Sequence, residues 1–163
     1  MTPKPALYLG CLFLLCLGCK TEDPDFPKEL TGQWEINSFT VSVTSFGNQD
    51  SSFTLEIDPG QWPQKMNMQP ERILFLMNHR FSSEAYNLED ELVYRRRGMW
   101  DLQGDTLLRL IEPKGIDDYR LRWMDADQVF ISGRLDWDRD GDMDDAYAAS
   151  LQRIRPETST AAE

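Results

Sequence analysis

Alternation of apolar and polar side chains runs through most of this chain. Residues 34–38 and 39–43 alternate in opposite phases, which predicts one strand with a bulge near Ser38. Further segments of strand character cover residues 53–57, 73–77, 92–102, 106–111, 119–123, 129–137 and 147–151, with another starting at Phe81. No window keeps a long 3.6-residue period. The pattern predicts an all-β fold of eight or nine antiparallel strands, in a closed barrel or a sandwich.

The N-terminus carries a separate apolar segment at residues 6–17, preceded by Lys4. Its length is that of a signal-peptide core, and it falls short of the roughly 20 residues of a membrane-spanning helix. The segment ends in Cys16-Leu17-Gly18-Cys19, which resembles the bacterial lipobox. The resemblance implies cleavage after Gly18 and lipid on Cys19, although Cys16 stands where an aliphatic residue is usual. The alternative is a signal peptide that is cut elsewhere and leaves Cys19 unmodified.

These boundaries predict four segments. They are a signal peptide at 1–18, the lipidated cysteine with a tether at 19–29, a β-barrel domain at 30–155 and a disordered tail at 156–163. The tether begins Lys20-Thr21-Glu22-Asp23, which resembles a surface-export tag and equally fits a generic polar linker. We expect that the lipid holds the protein at the outer membrane of the cell envelope. The periplasmic face and the surface face are the two alternatives.

Net charge limits the classes of binding partner, and the cysteine content limits the possible disulfides. The chain has 28 acidic and 17 basic residues and a net charge of −11. Cleavage after Gly18 would also remove the basic residue Lys4 and make the mature chain more acidic. Such acidity disfavours nucleic acid and anionic lipid headgroups, and it is compatible with metal cations or basic proteins. Cys11 and Cys16 would leave with the signal peptide, so the mature chain would have Cys19 alone and no disulfide framework.

Two short motifs resemble those of lipocalins. The first is Leu30-Thr31-Gly32-Gln33-Trp34, and the second is Gly98-Met99-Trp100-Asp101-Leu102-Gln103-Gly104-Asp105-Thr106-Leu107, which resembles the middle hairpin of lipocalin-like lipoproteins from Gram-negative envelopes. The resemblance implies a lipocalin-like barrel over about residues 30–155. It also implies that the guanidinium of Arg153 or Arg155 stacks on Trp34 and closes the barrel. A cation over an aromatic ring is attracted to it electrostatically. A barrel fold does not by itself fix a function.

Four side chains are candidates for lining the interior of such a barrel. They are Tyr94, Arg96, Trp100 and Trp123. An inward guanidinium needs an acceptor, because an unpaired buried charge is very costly. A ligand carboxylate could supply it, as could a glutamate of a neighbouring strand, and a bulge could instead turn Arg96 outward. The long connection at residues 58–70 carries Trp62, either in a lid over the barrel or against the outside of the sheet.

Six aspartates fall within ten residues near the C-terminus. They are Asp136, Asp138, Asp140, Asp142, Asp144 and Asp145. The first three, followed by Gly141, match the first half of a calcium loop. Position twelve of that loop is Tyr147 instead of glutamate, and the flanks are strands, so the segment is not an EF-hand. Asp144 or Asp145 could close a different calcium shell, and the alternative is an acidic, solvated hairpin turn.

Catalysis has little support in the sequence. His79 is the only histidine and falls in an expected turn, and no serine lies in a Gly-x-Ser-x-Gly motif. We therefore expect that the protein is not an enzyme. The two remaining hypotheses are a binding module for a small apolar or amphipathic molecule, and a calcium-ordered module that docks an envelope protein or a glycan. Calcium is the one cofactor that the sequence suggests, and the membrane is the partner that the lipid implies.

Overall fold

A computed structural model describes residues 29–46, 49 and 51–155. The predicted signal peptide, Cys19, nearly all of the tether and the C-terminal tail lie outside these residues. Within the described part of the chain, no helix is both long and apolar enough to cross a membrane.

The described residues form nine antiparallel strands and a short helix, and residues 29–30 are also helical. The strands are β1 (Gly32–Val43), β2 (Phe53–Ile57), β3 (Arg72–Phe75), β4 (Arg80–Tyr86), β5 (Leu92–Gln103), β6 (Leu107–Glu112), β7 (Gly115–Trp123), β8 (Gln128–Leu135) and β9 (Asp145–Ile154), and helix α1 (Trp62–Met66) lies between β2 and β3. Side chains alternate between buried and accessible along most strands, because successive residues of a strand point to opposite faces of the sheet.

The sheet closes on itself. Strands β3 to β9 pair in chain order, and β9 then pairs with β1 from Gln33↔Ile154 to Ser42↔Ala146. The other edge of β1 pairs with β3 in its first half and with β2 in its second half. Eight strands therefore form a closed up-and-down barrel, the topology of lipocalins, and β2 is an additional strand. The predicted lipocalin-like barrel is confirmed, and the sandwich alternative is wrong.

The predicted bulge in β1 is also confirmed. The register between β1 and β9 shifts between Ile36 and Ser38. An extra residue at this point changes the phase of the strand, so that Ile36 and Phe39 are both buried in the interior. The two opposite alternation patterns thus belong to one strand with a single inward face.

The end of the barrel at which β1 begins, called here the barrel base, is closed by a tryptophan and an arginine. Trp34 is fully buried, and its Nε1 donates a hydrogen bond to the Leu30 carbonyl oxygen at 2.8 Å. The Arg153 guanidinium lies over the Trp34 ring at 4.2 Å from its centroid. Arg155 instead forms an ion pair with Asp127. Of the two basic residues that the lipocalin resemblance offered, Arg153 is the one that closes the base.

Apolar side chains fill the base half of the interior. Trp100 is 1% exposed, packs edge-on against Phe75 and donates its Nε1 hydrogen bond to the Leu76 carbonyl oxygen. His79 lies exposed in the β3–β4 turn, as predicted, and its ring stacks on Trp100 at 5.2 Å between centroids. This half of the barrel is a packed core.

Two elements differ from the sequence prediction. The connection at residues 58–70 contains helix α1, with Pro63 in its first turn, and Trp62 packs at 5.2 Å on the buried ring of Phe39. Trp62 therefore covers the end of the barrel at which β1 ends, called here the barrel mouth. Trp137, predicted to continue β8, lies beyond its end at Leu135, because the Trp137 amide donates to the Asp145 carboxylate instead of a neighbouring strand.

Candidate ligand site at the barrel mouth

On the side of the barrel formed by β4 to β7, polar side chains replace apolar ones in the interior near the barrel mouth. The polar cluster consists of Glu71, Ser83, Tyr94, Arg96, Glu112 and Asp117. Strand pairing brings most of its members together, with Ser83 opposite Arg96 and with β6 between β5 and β7. Glu71 precedes β3 and is held in place by its carbonyl oxygen, which accepts a hydrogen bond from the Ile36 amide at 2.9 Å.

Arg96 is the cation of the polar cluster. Its Nε donates to Glu112 Oε1 at 2.8 Å, and its Nη2 donates to Asp117 Oδ2 at 2.7 Å and also to Glu112. About one third of the side chain is exposed. The guanidinium therefore points inward, as the alternation predicted, and its acceptors come from the two following strands. A ligand carboxylate is not needed to compensate it.

Glu71 is the most buried carboxylate of the cluster, at 9% exposure. Tyr94 Oη donates to Glu71 Oε2 at 2.5 Å, and Ser83 Oγ donates to Glu71 Oε1. Both carboxylate oxygens thus have a donor, as a buried polar group requires. Tyr94 remains 41% exposed and forms part of the rim of the mouth.

The ionisation of the surrounding groups follows from burial and charge. Burial raises the pKa of Tyr94 and of Tyr119 above the ordinary value, and the charges of Glu71 and Asp117 respectively add to the effect. Burial lowers the pKa of Arg96, but its hydrogen bond to Glu112 and the neighbouring negative charges more than offset this and raise it. The phenols accordingly stay neutral donors at physiological pH, and Arg96 stays charged.

The polar cluster has more carboxylates than cations. Glu71, Glu112 and Asp117 face a single guanidinium, so the cluster has two excess negative charges when all three carboxylates are ionised. Arg96 occupies only Oε1 of Glu112 and Oδ2 of Asp117, and the other oxygen of each carboxylate accepts no hydrogen bond from a described residue. The site can therefore accept further hydrogen bonds, and a positive charge would relieve its internal repulsion.

Exposed apolar side chains lie at the same end of the barrel as the polar cluster and are called here the apolar rim. Leu88, Leu92 and Val93 lie in and beside the β4–β5 hairpin and are 42%, 44% and 54% exposed. Tyr94 follows directly after Val93 along β5, and the pairing of β5 with β4 shifts register between Ala85 and Tyr86, so that Leu92 lies opposite Tyr86. The mouth thus combines apolar surface with acceptor oxygens, an arrangement that suits a molecule with an apolar part and a polar end.

The four predicted lining residues do not lie together. Tyr94 and Arg96 belong to the polar cluster at the mouth. Trp100 lies in the packed base half, and Trp123 packs edge-on against Trp34 at 6.2 Å between centroids. The Trp123 Nε1 is buried and has no hydrogen-bond partner among the described residues.

The sequence analysis missed the acidic members of the cluster. Glu112 continues the inward series of Leu108 and Leu110, and Asp117 lies two residues before the inward Tyr119. The alternation that placed Arg96 inward therefore also marked these two carboxylates. Glu71 lies outside any strand and gave no such signal.

The aspartate-rich segment is the β8–β9 connection, and it also lies at the barrel mouth. Carboxylate oxygens of Asp136, Asp138 and Asp140 lie within 4.8 Å of one another. Burial and the nearby carboxylates of Asp145, Asp140 and Asp142 raise the pKa of Asp144 above its ordinary value. Negative charges thus crowd this loop.

Comparisons with known proteins identify no family for this chain. No protein-family model matches it. A stretch of 65 residues is 34% identical to the ubiquitin-like modifier-activating enzyme ATG7 of Gibberella zeae, and it spans 38% of this chain and 9% of that enzyme. A match of that extent transfers no activity.

Three solved structures show a low overall similarity to the chain. The match to a redesigned β-barrel covers 79% of this chain and 95% of the barrel's chain, with 11% sequence identity and a TM-score of 0.43. The match to the siderocalin Ex-FABP covers 81% of this chain and 78% of the siderocalin chain, with 13% sequence identity and a TM-score of 0.42. The match to the S-type phycobiliprotein lyase CPES from Guillardia theta covers 81% of this chain and 92% of the lyase chain, with 12% sequence identity and a TM-score of 0.37. The strand pairing of the chain itself establishes its lipocalin-like barrel.

Proposed function

We propose that this protein is a lipid-anchored, non-catalytic binding module of the bacterial cell envelope, and that its barrel mouth takes a small amphipathic molecule with a positively charged end. The observation that supports this proposal is the excess of two negative charges in the half-buried polar cluster, at the barrel end that also carries the apolar rim.

The division of the interior argues for a ligand at the mouth. Packed side chains fill the interior outside the polar cluster, so an apolar tail would lie against the exposed Leu88, Leu92 and Val93 at the rim. The positively charged end would meet the two carboxylate oxygens of Glu112 and Asp117 that Arg96 leaves available. Partial burial strengthens such a contact relative to one in water.

The arrangement of possible nucleophiles supports a non-catalytic role. The Ser83 hydroxyl donates to Glu71, and it has no imidazole beside it to act as a base. His79 stacks on Trp100 in the β3–β4 turn at the barrel base, away from the polar cluster. A serine–histidine pair is therefore not formed among the described residues.

The charge of the ligand can be tested with three probes that share one alkyl chain. We expect dodecylamine to bind about tenfold more tightly than dodecanol, and dodecanoate to bind most weakly, because only the amine offsets the excess negative charge. Isothermal titration calorimetry below the critical micelle concentrations measures the three affinities.

Two variants make this test specific to the mouth. Glu112→Gln should weaken dodecylamine binding about tenfold, since it removes one charge and keeps Asp117 for Arg96. Asp105→Asn makes the same charge change on an exposed residue of the β5–β6 turn at the barrel base, and it should leave the affinity unchanged. Equal affinities for the amine and the carboxylate, or equal effects of the two variants, would contradict the proposed site.

The anchoring part of the proposal rests on Cys19 and has its own test. In a bacterial host, Cys19→Ser should release the protein from the membrane fraction or leave the signal peptide uncleaved, because the acyl chains would have no attachment site. Cys11→Ser removes a thiol eight residues earlier, outside the lipobox, and should keep the protein in the membrane fraction. Fractionation and intact-mass measurement follow both variants. A cleaved Cys19→Ser protein that stays with the membrane would refute lipid anchoring at this residue.

A further inference from the structure

Exposed apolar side chains are grouped on the outer surface of β3 and β5 and in the β3–β4 turn, toward the barrel base. They are Leu74, Leu76, Met77 and Met99, called here the base patch, and Met77 is 72% exposed. The backbone brings the two strands together here, because the Leu76 amide donates to the Arg80 carbonyl oxygen at 2.9 Å and Arg80 lies opposite Met99. Grouped exposed apolar side chains of this kind mark interaction surfaces.

Two arginines border the base patch. Arg80 lies opposite Met99, and Arg97 reaches the same outer surface two residues earlier along β5. Within the described part of the chain, neither guanidinium forms an ion pair. The β3–β4 turn at residues 76–79 contains no carboxylate. The base patch is therefore apolar and locally cationic in a chain whose net charge is −11, which suits a partner that carries phosphate groups.

The base patch lies beside the point at which the chain enters the barrel from Cys19. The Arg153 Nη1 donates to the Thr31 carbonyl oxygen at 2.7 Å and fixes the start of the barrel domain at the base. Strand β1 pairs with β3 from its first residue, which places the β3–β4 turn next to this entry point. The segment from Cys19 to Glu29 spans at most about 35 Å, even when fully extended. A lipid on Cys19 therefore keeps the barrel base within that distance of the bilayer.

We propose that the base patch docks on the phospholipid surface in which the lipid on Cys19 is inserted. This inference rests on the lipid anchoring proposed above, and it adds the orientation of the barrel. Leu76 and Met77 enter the boundary between headgroups and acyl chains, and Arg80 and Arg97 contact lipid phosphates. The barrel mouth, at the opposite end, faces away from the bilayer and stays open to solvent.

The net acidity of the chain favours this face over others. The lipid supplies the attachment, so the base patch has only to decide which surface of the protein meets the bilayer. An acidic chain is repelled by anionic headgroups, and the repulsion is smallest where arginines without ion pairs lie. A second copy of the chain suits the patch less well, because a symmetric contact would bring Arg80 and Arg97 of both copies together.

The test uses the acylated full chain in vesicles of phosphatidylethanolamine and phosphatidylglycerol, with a fluorophore on Met77→Cys. Cys11 and Cys16 leave with the signal peptide and acylation blocks Cys19, so the label has a single free thiol. We expect lipids brominated on their acyl chains to quench the fluorophore about twofold, because interfacial side chains lie about 5–10 Å into the headgroup boundary. The same label on Met143→Cys, an exposed site in the β8–β9 connection at the mouth, should show no quenching.

A matched pair of charge variants tests the role of the arginines. Arg80→Glu with Arg97→Glu should remove the quenching at position 77, because two carboxylates would then face the lipid phosphates. Arg120→Glu with Arg139→Glu makes the same charge change at exposed positions of β7 and of the β8–β9 connection, and it should leave the quenching intact. Should the first double variant fail to fold, as judged by circular dichroism, Arg97→Gln replaces it and should lower the quenching.

The outcomes separate this inference from the anchoring proposal. An acylated, vesicle-bound protein with equal quenching at positions 77 and 143 would overturn docking of the base patch and leave lipid anchoring intact. A mature protein whose intact mass shows no acyl chains would refute the anchoring, and the docking with it. A label at position 77 that is shielded in dimers in detergent and unquenched in vesicles would identify a second copy as the occupant and overturn the proposal.

Discussion

Replacement of Trp34 by alanine is expected to lower the free energy of unfolding by about 3–5 kcal/mol. The side chain is fully buried, packs against Trp123 and Arg153, and donates a hydrogen bond to the Leu30 carbonyl oxygen. Alanine would leave a cavity at the barrel base, remove the surface on which the guanidinium stacks and leave that carbonyl without its donor. Urea denaturation followed by circular dichroism measures the loss.

A control for Trp34 lies at the same end of the barrel. Met124 is 54% exposed in the β7–β8 turn, and Met124→Ala should change the free energy of unfolding by less than about 0.5 kcal/mol. If Trp34→Ala loses no more than Met124→Ala, Trp34 is not the residue that closes the barrel base.

The second large effect is expected from Gly98→Ala, with a loss of about 3 kcal/mol in the free energy of unfolding. Gly98 faces the interior of β5, opposite Phe81 on β4. A Cβ atom there would overlap the Ile111 carbonyl oxygen and lie 2.9 Å from the Phe81 ring. The carbonyl belongs to the backbone of β6, so it cannot move aside without disturbing strand pairing. The absence of a side chain is what allows the strands to approach this closely.

Gly115 provides the matched substitution. It lies at the start of β7, and a Cβ atom built there meets no atom within 4 Å. Gly115→Ala should therefore change the free energy of unfolding by less than about 0.5 kcal/mol, measured under the same conditions. Similar losses in the two variants would show that the effect is one of backbone entropy in general, and the argument from the close approach of β6 would be wrong.

The sequence predicted the architecture because alternation is a local property of the chain. The phase change within β1 gave the bulge, and the long alternation through Tyr94 and Arg96 gave β5 and its inward face. The Gly-x-Trp motif at Gly32 led to Trp34 as a core residue. Each of these inferences needs only neighbouring residues, since the side chains of a strand repeat with a period of two.

The candidate site was only half predictable for the same reason. Alternation placed Arg96 inward, but its acceptors Glu112 and Asp117 are 16 and 21 residues further along the chain. Their meeting depends on the register of three strands, which periodicity does not fix. Glu71 reaches the cluster from a connection, where no periodic pattern exists.

The sequence by itself thus determined the strands, their inward faces and the acidic spacing of the β8–β9 loop. Only the tertiary structure decided that Arg153 and not Arg155 covers Trp34, and that Trp62 packs on Phe39. It also decided that Asp145 serves as a buried acceptor, while a buried oxygen of Asp136 accepts no hydrogen bond from a described residue. These choices depend on contacts between segments far apart in the chain. Neither the partners nor the burial of a side chain can be read from its nearest neighbours in sequence, because both are set when the sheet closes.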